Sequence, residues 1–205
     1  YTQLPSQYLA EIQECRTKYF GGPKSYGTTK FAIHELKIEP YKYQHLLWKN
    51  FHDKNRIIIC KSRQIGISTA IQIFSLDCVM SNKYPSGIYN NTKIGVISKD
   101  DKASKKLMRE TVNLGQKYDY ECQSKIFKEM IDDNAPNNMN QLTLKNKCFI
   151  KCFPPTDAIR GETFDVIFVD EGAFIEDEIF YNCIVPTVSK TNGKIIIAST
   201  PNGQR

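Results

Sequence analysis

Three short stretches of this 205-residue chain run from apolar residues into residues able to do chemistry. The first is Arg56–Thr69, R-I-I-I-C-K-S-R-Q-I-G-I-S-T. Ile57, Ile58, Ile59 and Cys60 predict a strand buried on both faces. A polar loop then closes at Gly66. From Ser68 the positions Ala70, Ile71, Ile73, Phe74, Leu76, Cys78 and Val79 predict a mostly buried helix. Such a strand, loop and helix start present backbone N–H groups to an anion. The second stretch, Phe164–Glu171, is apolar until it ends on Asp170 and Glu171. A strand of that kind exposes its carboxylates at its carboxyl edge, where α/β sheets place ligands. Asp170 there can hold Mg²⁺, and Glu171 can orient and deprotonate a water. The same pair can also be a plain acidic strand end. The third stretch takes Ile195–Ala198 into S-T-P-N-G (Ser199–Gly203), two hydroxyls before a proline-enforced turn.

The loop departs from the usual phosphate-loop pattern G-x-x-x-x-G-K-[ST]. Gly66 and Ser68 fit it, but Ile67 stands at the lysine position and Lys61 at the first glycine. Two readings follow from the residues. Either the loop is dead, or Lys61 supplies the charge from the loop's other end, as a flexible four-carbon stem permits.

Other elements must position these groups. Glu39–Gln44 leads into a helix carrying Leu46, Leu47, Trp48 and Phe51. Gln44 beside aromatics can read adenine, accepting from N6–H and donating to N7, or it can be a solvated helix-start amide. Ile94–Ser98 predicts a second buried strand. Ser98 is then the expected N-cap of a helix ending near Leu114, with Gly115 just past its end. Lys102, Lys105, Lys106 and Arg109 form one stripe of that helix, either a solvated face or a track for a phosphate backbone. Residues 116–140 are polar and predict an irregular or partly helical excursion. Gln141–Leu144 and Cys148–Phe153 flank K-N-K as a β-hairpin. Gly172–Glu178 leads into a helix over Ile179–Val185, interrupted by Pro186. Upstream, residues 5–20 predict a helix, with Gly21, Gly22 and Pro23 at its end. Residues 1–30 are expected to be an N-terminal appendage, and 31–205 the main domain.

Composition sets bounds. A chain 40% hydrophobic suits one domain with a sizeable core. The net charge of +6 is uneven, since residues 1–110 hold 18 Lys and Arg against 9 Asp and Glu. That tolerates a polyanion without demanding one. The seven cysteines are scattered, and Cys148 and Cys152 read as packing thiols in a reducing compartment. No segment is apolar enough to span a membrane, and none resembles a signal peptide. Tyr1 predicts that the sequence is a piece of a longer protein.

Together these signals have the order found in RecA-like ATPases: phosphate loop, intervening strand, Asp-Glu, hydroxyl-ended strand. Four motifs make the likeness specific: S-R-Q-I-G (Ser62–Gly66), A-I-R-G-E-T-F-D (Ala158–Asp165), V-D-E-G-A-F-I (Val169–Ile175) and S-T-P-N-G (Ser199–Gly203). On these, and on Tyr43-Gln44, the chain resembles the ATPase domain of tailed-phage large terminase subunits over about residues 35–205. The resemblance implies an α/β, RecA-like P-loop ATPase with a mainly parallel sheet and an added β-hairpin. It implies ATP and Mg²⁺ as cofactors and ATP-driven translocation of double-stranded DNA into a procapsid.

The resemblance also implies roles residue by residue. Gln44 contacts adenine. The backbone of Ser62, Arg63, Gln64, Ile65, Gly66, Ile67, Ser68 and Thr69 cradles phosphates. Ser68 and Asp170 hold the metal, and Glu171 is the catalytic base. Ser199, Thr200 and Pro201 couple phosphate loss to movement. Lys61 fits a family variant, K-S-x-x-x-G-x-S, with its lysine at the loop's first position. Arg63 in the loop and Arg160 on a loop expected to be exposed, before the Asp-Glu strand, are alternative charge-stabilising arginines, the second supplied to a neighbouring subunit. The implied partners are a portal protein, a small terminase subunit and further copies in a ring, a pentamer by resemblance. The expected place is the host cytoplasm, docked on the procapsid, with no membrane. The family's C-terminal nuclease domain is expected to be absent from this chain. A helicase-like DNA-dependent ATPase, or a silent nucleotide- or DNA-binding module inactivated by Ile67, are the competing readings.

Overall fold

The computed structural model describes residues 27–62, 64–82, 91–135 and 137–201. The helix expected over 5–20, Arg63, most of the turn-rich Pro85–Asn91 and the Asn202-Gly203 end of the last motif lie outside the described residues. Six strands form one sheet: β1 (Arg56–Cys60), β2 (Lys93–Ile97), β3 (Gln141–Thr143), β4 (Phe149–Phe153), β5 (Val166–Asp170) and β6 (Lys194–Ser199). Their order is β1-β6-β5-β2-β4-β3, parallel throughout except for the β3–β4 hairpin at one edge. Parallel strands share a carboxyl edge, so Cys60, Ile97, Asp170 and Ser199 end on the same side of the sheet.

Side chains alternate across the pleat and give the sheet two cores. Val166, Phe168, Ile196 and Ala198 face the larger one, with α3 (Ile67–Ser81) and α4 (Asp101–Glu121). Ile167, Val169 and Ile195 face the other, with Ile159, Ile175, Ile184 and Val188. The helix α3 is buried almost all round, as its sequence predicts. Ahead of it, α1 (Gly27–Lys30, continued by a π-helical stretch Phe31–Glu35) and α2 (Lys42–Asp53) pack on the larger core. Thr28 is buried and donates to Asp77 of α3 at 2.6 Å. Residues 27–30 therefore belong to the main body, so packing does not change at the expected boundary at residue 30. At the far end of α2, the buried Lys194 ammonium caps the carbonyls of His52 and Lys54 at 2.9 and 3.0 Å.

Several expectations are corrected. β1 is an edge strand, and only one of its faces is covered by described residues. Ile58 is 82% exposed, so the apolar run does not mean burial on both faces. The helix after β2 is capped by Asp100, whose carboxylate accepts from Ala103 N at 2.7 Å, while Ser98 still pairs with Phe153. That helix does not stop at Gly115 but runs through it to Glu121. Gly115 is there because the Phe127 ring, from α5 (Ile126–Met130), lies against it. A Cβ would sit 2.3 Å from a ring carbon. After β5, a 3-10 turn (Gly172–Phe174) leads to a helical run, α6 (Asp177–Ile179), a π-helical stretch (Phe180–Ile184) and α7 (Val185–Ser189). Pro186 sits in the first turn of α7 and does not interrupt the run.

This packing sets a prediction opposite in sign to ordinary helix propensity. Gly→Ala in a helix interior normally stabilises by about 1 kcal/mol. Gly115→Ala is expected to destabilise instead, by roughly 1–3 kcal/mol from overpacking. In urea unfolding, Phe127→Leu should recover part of that loss in the double variant, whereas simple additivity would contradict the contact.

Candidate active site

The carboxyl edge gathers the three chemical stretches around a cleft of about 820 Å³. Lys61 follows β1 directly, and its N–H donates to Ser199 O at 2.9 Å, which extends the β1–β6 pairing by one residue. Its ammonium reaches past β6 to the end of β5. There it lies 3.0 Å from Asp170 Oδ1 and 2.9 Å from Glu171 Oε1. On the other side, Ser68 Oγ donates to Asp170 Oδ2 at 2.9 Å. The second oxygen of Glu171 accepts from Thr200 twice, from its N–H at 3.2 Å and its hydroxyl at 2.9 Å. Glu171 is held with positive φ (58°), and its N–H donates to Asp170 Oδ1 at 3.1 Å. Ser199 Oγ accepts from Ala173 N at 3.0 Å, which ties the end of β6 to the turn after β5.

These contacts set the charge states. Burial alone would lower the pKa of Lys61, but its hydrogen bond to Glu171 and the charge of Asp170 hold it above its ordinary value. Burial alone would raise that of Glu171, but Lys61 and the two bonds from Thr200 hold it below the ordinary carboxylate value. Both groups are therefore charged at neutral pH. The donor set of Ser68 hydroxyl and Asp170 carboxylate is hard oxygen, as Mg²⁺ requires, and the carboxylates already attract a cation in Lys61. Among the described residues no cluster of three or more His, Cys, Asp or Glu side chains forms a metal site. Cys148 and Cys152 are buried, and burial pushes both thiols up to about 12, as packing thiols should be.

The loop itself is shaped by positive φ at Gln64 (59°) and Gly66 (76°). A side chain at Gly66 would be strained, and its Cβ would meet Gln44 Nε2 at 3.2 Å. Ile67 is 3% exposed and packs into the larger core, while Gln64 lines the cleft. Ser62 and Thr69 are exposed and do not line it, and Pro201 is exposed beyond β6. Gln44 does not line it either. Both ends of its amide are bonded within the protein, Oε1 to Tyr41 N and Nε2 to Gly66 O. Arg160 sits beside the second core, away from the cleft, where its Nε donates to Asp157 at 2.9 Å. Arg63 lies outside the described residues.

Lys99, Lys106 and Phe174 are among the cleft residues not singled out as such from the sequence. Lys99 follows β2 at the same edge that made Asp170 visible, so the same rule could have found it. Lys106 belongs to the basic stripe yet faces the cleft, and its ammonium lies 3.7 Å from Glu110. Lys105 of the same stripe pairs with Asp101 at 2.6 Å. Phe174 is a half-exposed apolar wall.

Comparison with known proteins matches this geometry to one family. The family described as terminase large subunit, T4-like virus type, N-terminal, matches residues 58–205. Among solved structures, the large terminase ATPase domain of Thermus phage P74-26 superposes with a TM-score of 0.62 at 19% identity, covering 84% of this chain and 69% of that one. The HK97 bacteriophage large terminase gives 0.63 at 13% identity, covering 80% of this chain and 33% of that one. The yeast DEAD-box splicing factor Prp28 gives 0.55 at 13% identity, covering 99% of this chain and 53% of that one. At such identities the likeness shows a shared RecA-like fold. The chain spans a third of the length of the HK97 protein.

The charge pairing predicts a pH signature. The raised pKa of Lys61 means that its contribution to stability is present below its ordinary 10.5 and is lost as pH rises through the higher folded value. The lowered pKa of Glu171 means that its contribution is present above its ordinary 4.5 and is lost as pH falls through the lower folded value. Lys61→Met should therefore lower the unliganded melting temperature at pH 7. That gap should close as pH falls from 4.5 through the folded Glu171 value. A gap independent of pH across that window would remove the pair as its cause.

Proposed function

This chain belongs to the family of T4-like terminase large subunits, in their N-terminal domain, and from that premise we propose that it hydrolyses ATP to drive double-stranded DNA into a viral procapsid. The observation that carries the reading is the seat of Glu171, held between Lys61 and Thr200 beside the Ser68–Asp170 pair. That arrangement joins the ends of all three chemical stretches around one carboxylate.

The loop backbone and the N-terminus of α3 take the β- and γ-phosphates, and Lys61 binds them as a point charge. Ser68 and Asp170 would hold Mg²⁺, which would supply charge neutralisation at the phosphates. Arrival of the triphosphate draws the Lys61 ammonium off Glu171 and frees Oε1, while Thr200 keeps Oε2. Glu171 then orients a water on the γ-phosphorus and accepts its proton. The new P–O bond forms as the bond to the β-phosphate oxygen breaks, releasing ADP and phosphate. Thr200 and Ser199 carry the change at Glu171 into β6 and the Gly172–Phe174 turn, which supports the coupling role of Ser199, Thr200 and Pro201. Arg160 is exposed and away from its own cleft, which supports delivery to a neighbouring subunit in a ring. Arg63 is then the arginine of the subunit's own loop. Portal protein and small subunit complete the assembly, in the host cytoplasm on the procapsid. No helix among the described residues is long and apolar enough to cross a membrane. The silent-module reading is disfavoured by Lys61, whose ammonium already lies at the reactive carboxylates.

Three variants test this. Lys61→Ala should abolish ATP turnover while the circular dichroism spectrum is retained; unchanged turnover would sink the relocated-lysine assignment. Glu171→Gln should lower kcat by roughly 10²–10⁴, the scale of a general base, with nucleotide binding kept. Arg160→Ala should leave the slow turnover of dilute protein intact and depress that of the assembled, DNA-stimulated motor by ~10³ or more. Equal effects in both states would make Arg160 a residue of its own subunit.

A further inference from the structure

The basic stripe of α4 does not act as one surface. Lys105 pairs with Asp101 at 2.6 Å. Lys102 and Arg109 are exposed and do not line the cleft. Lys106 does line it, and Lys99, two residues past β2, joins it there. Both lie in the site but apart from the Lys61–Glu171 pair.

Lys106 stands on a built support. Gln72 of α3 is 5% exposed, and its Nε2 donates to Glu110 Oε2 at 2.9 Å and to Leu107 O at 3.2 Å. Gln72 lies about one helical turn after Ser68, so the helix that carries the Ser68 hydroxyl also fixes Glu110. The other oxygen of Glu110 is 3.7 Å from the Lys106 ammonium. That contact is long and solvated, and exposed pairs of this kind are weak. Glu110 therefore keeps the ammonium at the cleft wall without tying it up against a doubly charged anion. With Lys99, this wall carries two cations against one carboxylate.

Topology sets these cations on the far side of Glu171 from the phosphate loop. In the order β1-β6-β5-β2, the loop follows β1, Glu171 follows β5 and Lys99 lies just past β2. Attack on the γ-phosphorus is in line, with the water opposite the leaving oxygen. After cleavage ADP stays on the loop, and the phosphate has moved toward the water's side, where Glu171 stands. A carboxylate repels that product. The cleft cations on the side away from the loop are Lys99 and Lys106.

We propose that Lys99 and Lys106 form a subsite for inorganic phosphate, separate from the phosphate loop, that draws the cleaved phosphate off Glu171 while ADP is still bound. This rests on the hydrolysis reading above and deepens it. It also divides the basic stripe, giving Lys106 to the cleft and not to a nucleic-acid backbone.

The test measures equilibrium binding of inorganic phosphate, by titration calorimetry, to the 205-residue chain saturated with ADP and Mg²⁺. The variants are Lys99→Met and Lys106→Met, with Lys105→Met as the control from the same helix. Lys99 and Lys106 are exposed, so the fold is kept. Each of those two changes should weaken phosphate binding by about tenfold, the scale of one charge-assisted hydrogen bond. ADP affinity should stay unchanged, and Lys105→Met should match wild type. Unchanged phosphate affinity in Lys99→Met and Lys106→Met would overturn the proposal, as would a wild-type ADP complex that binds no phosphate. An equal loss in Lys105→Met would overturn it too, since the effect is then general helix charge. If the two variants lose ADP and phosphate alike, the lysines hold the nucleotide and the subsite does not exist. If they lose duplex DNA while phosphate binds as in wild type, they belong to a nucleic-acid track and the proposal fails. A wild type that binds no ADP would instead remove the nucleotide site itself, and this proposal with it.

Discussion

One cation between two carboxylates holds the candidate site together. Lys61 leaves β1, and its partners Asp170 and Glu171 end β5, with β6 lying between the two strands. Neighbouring strands are about 4.8 Å apart, so the charge must cross nearly twice that distance. Only a long, flexible side chain spans it, and an ammonium can face two carboxylates at once where a planar guanidinium is more constrained. Without that charge, adjacent carboxylates at a partly buried edge would repel each other. The site is thus prepared for a cation, whether the protein's own or a divalent ion with nucleotide.

The rest of the architecture makes that bridge possible. Parallel pairing of β1, β6, β5 and β2 brings four strand ends to one edge, and the residue after each apolar run is left facing the cleft. Burial does the aligning. Val166 and Phe168 lock β5 against α3 on one face, and Ile167 and Val169 lock it against the second core on the other. A one-residue slip would exchange these sets and move Asp170 and Glu171 out of register with Lys61. β6 has a double part. It is the spacer that sets the reach of Lys61, and its end holds Glu171 through Thr200 and the following turn through Ser199.

Much of this was legible in the sequence because strands that end on polar residues announce an edge. The runs before Asp170 and Ser199, and the β3–β4 hairpin, were readable from pattern alone. The exposed face of β1 was not, because an isoleucine run carries no information about what covers it. Gly115 misled for a related reason. A glycine after a helical pattern reads as a stop, whereas here it answers to Phe127, twelve residues on in sequence but adjacent in space. Asp100 took the cap from Ser98 because the pairing of β2 extends one residue further, to Phe153 O. At Gln44 the residue type suggests a base contact, while its bonds to Tyr41 N and Gly66 O are to backbone groups, which every residue has and no sequence marks.

The departure of the loop from the common pattern then has a physical sense that neither position shows alone. In this fold the side chain at position 67 enters the larger core, where Ile67 is 3% exposed. A lysine there would give up the apolar contacts that Ile67 makes in that core. Position 61 sits at the mouth of the cleft, one residue past a strand whose end is fixed by pairing with Ser199. A lysine there keeps its stem along the sheet edge and its charge on Asp170 and Glu171. Ile67 and Lys61 are therefore one choice made at two positions. The apolar residue closes the core under the first turn of α3, and the cation enters from the opposite end of the same loop. The carbonyls between them, at Ile65 and Gly66, are held by α2, so that the backbone joining the two ends keeps its shape.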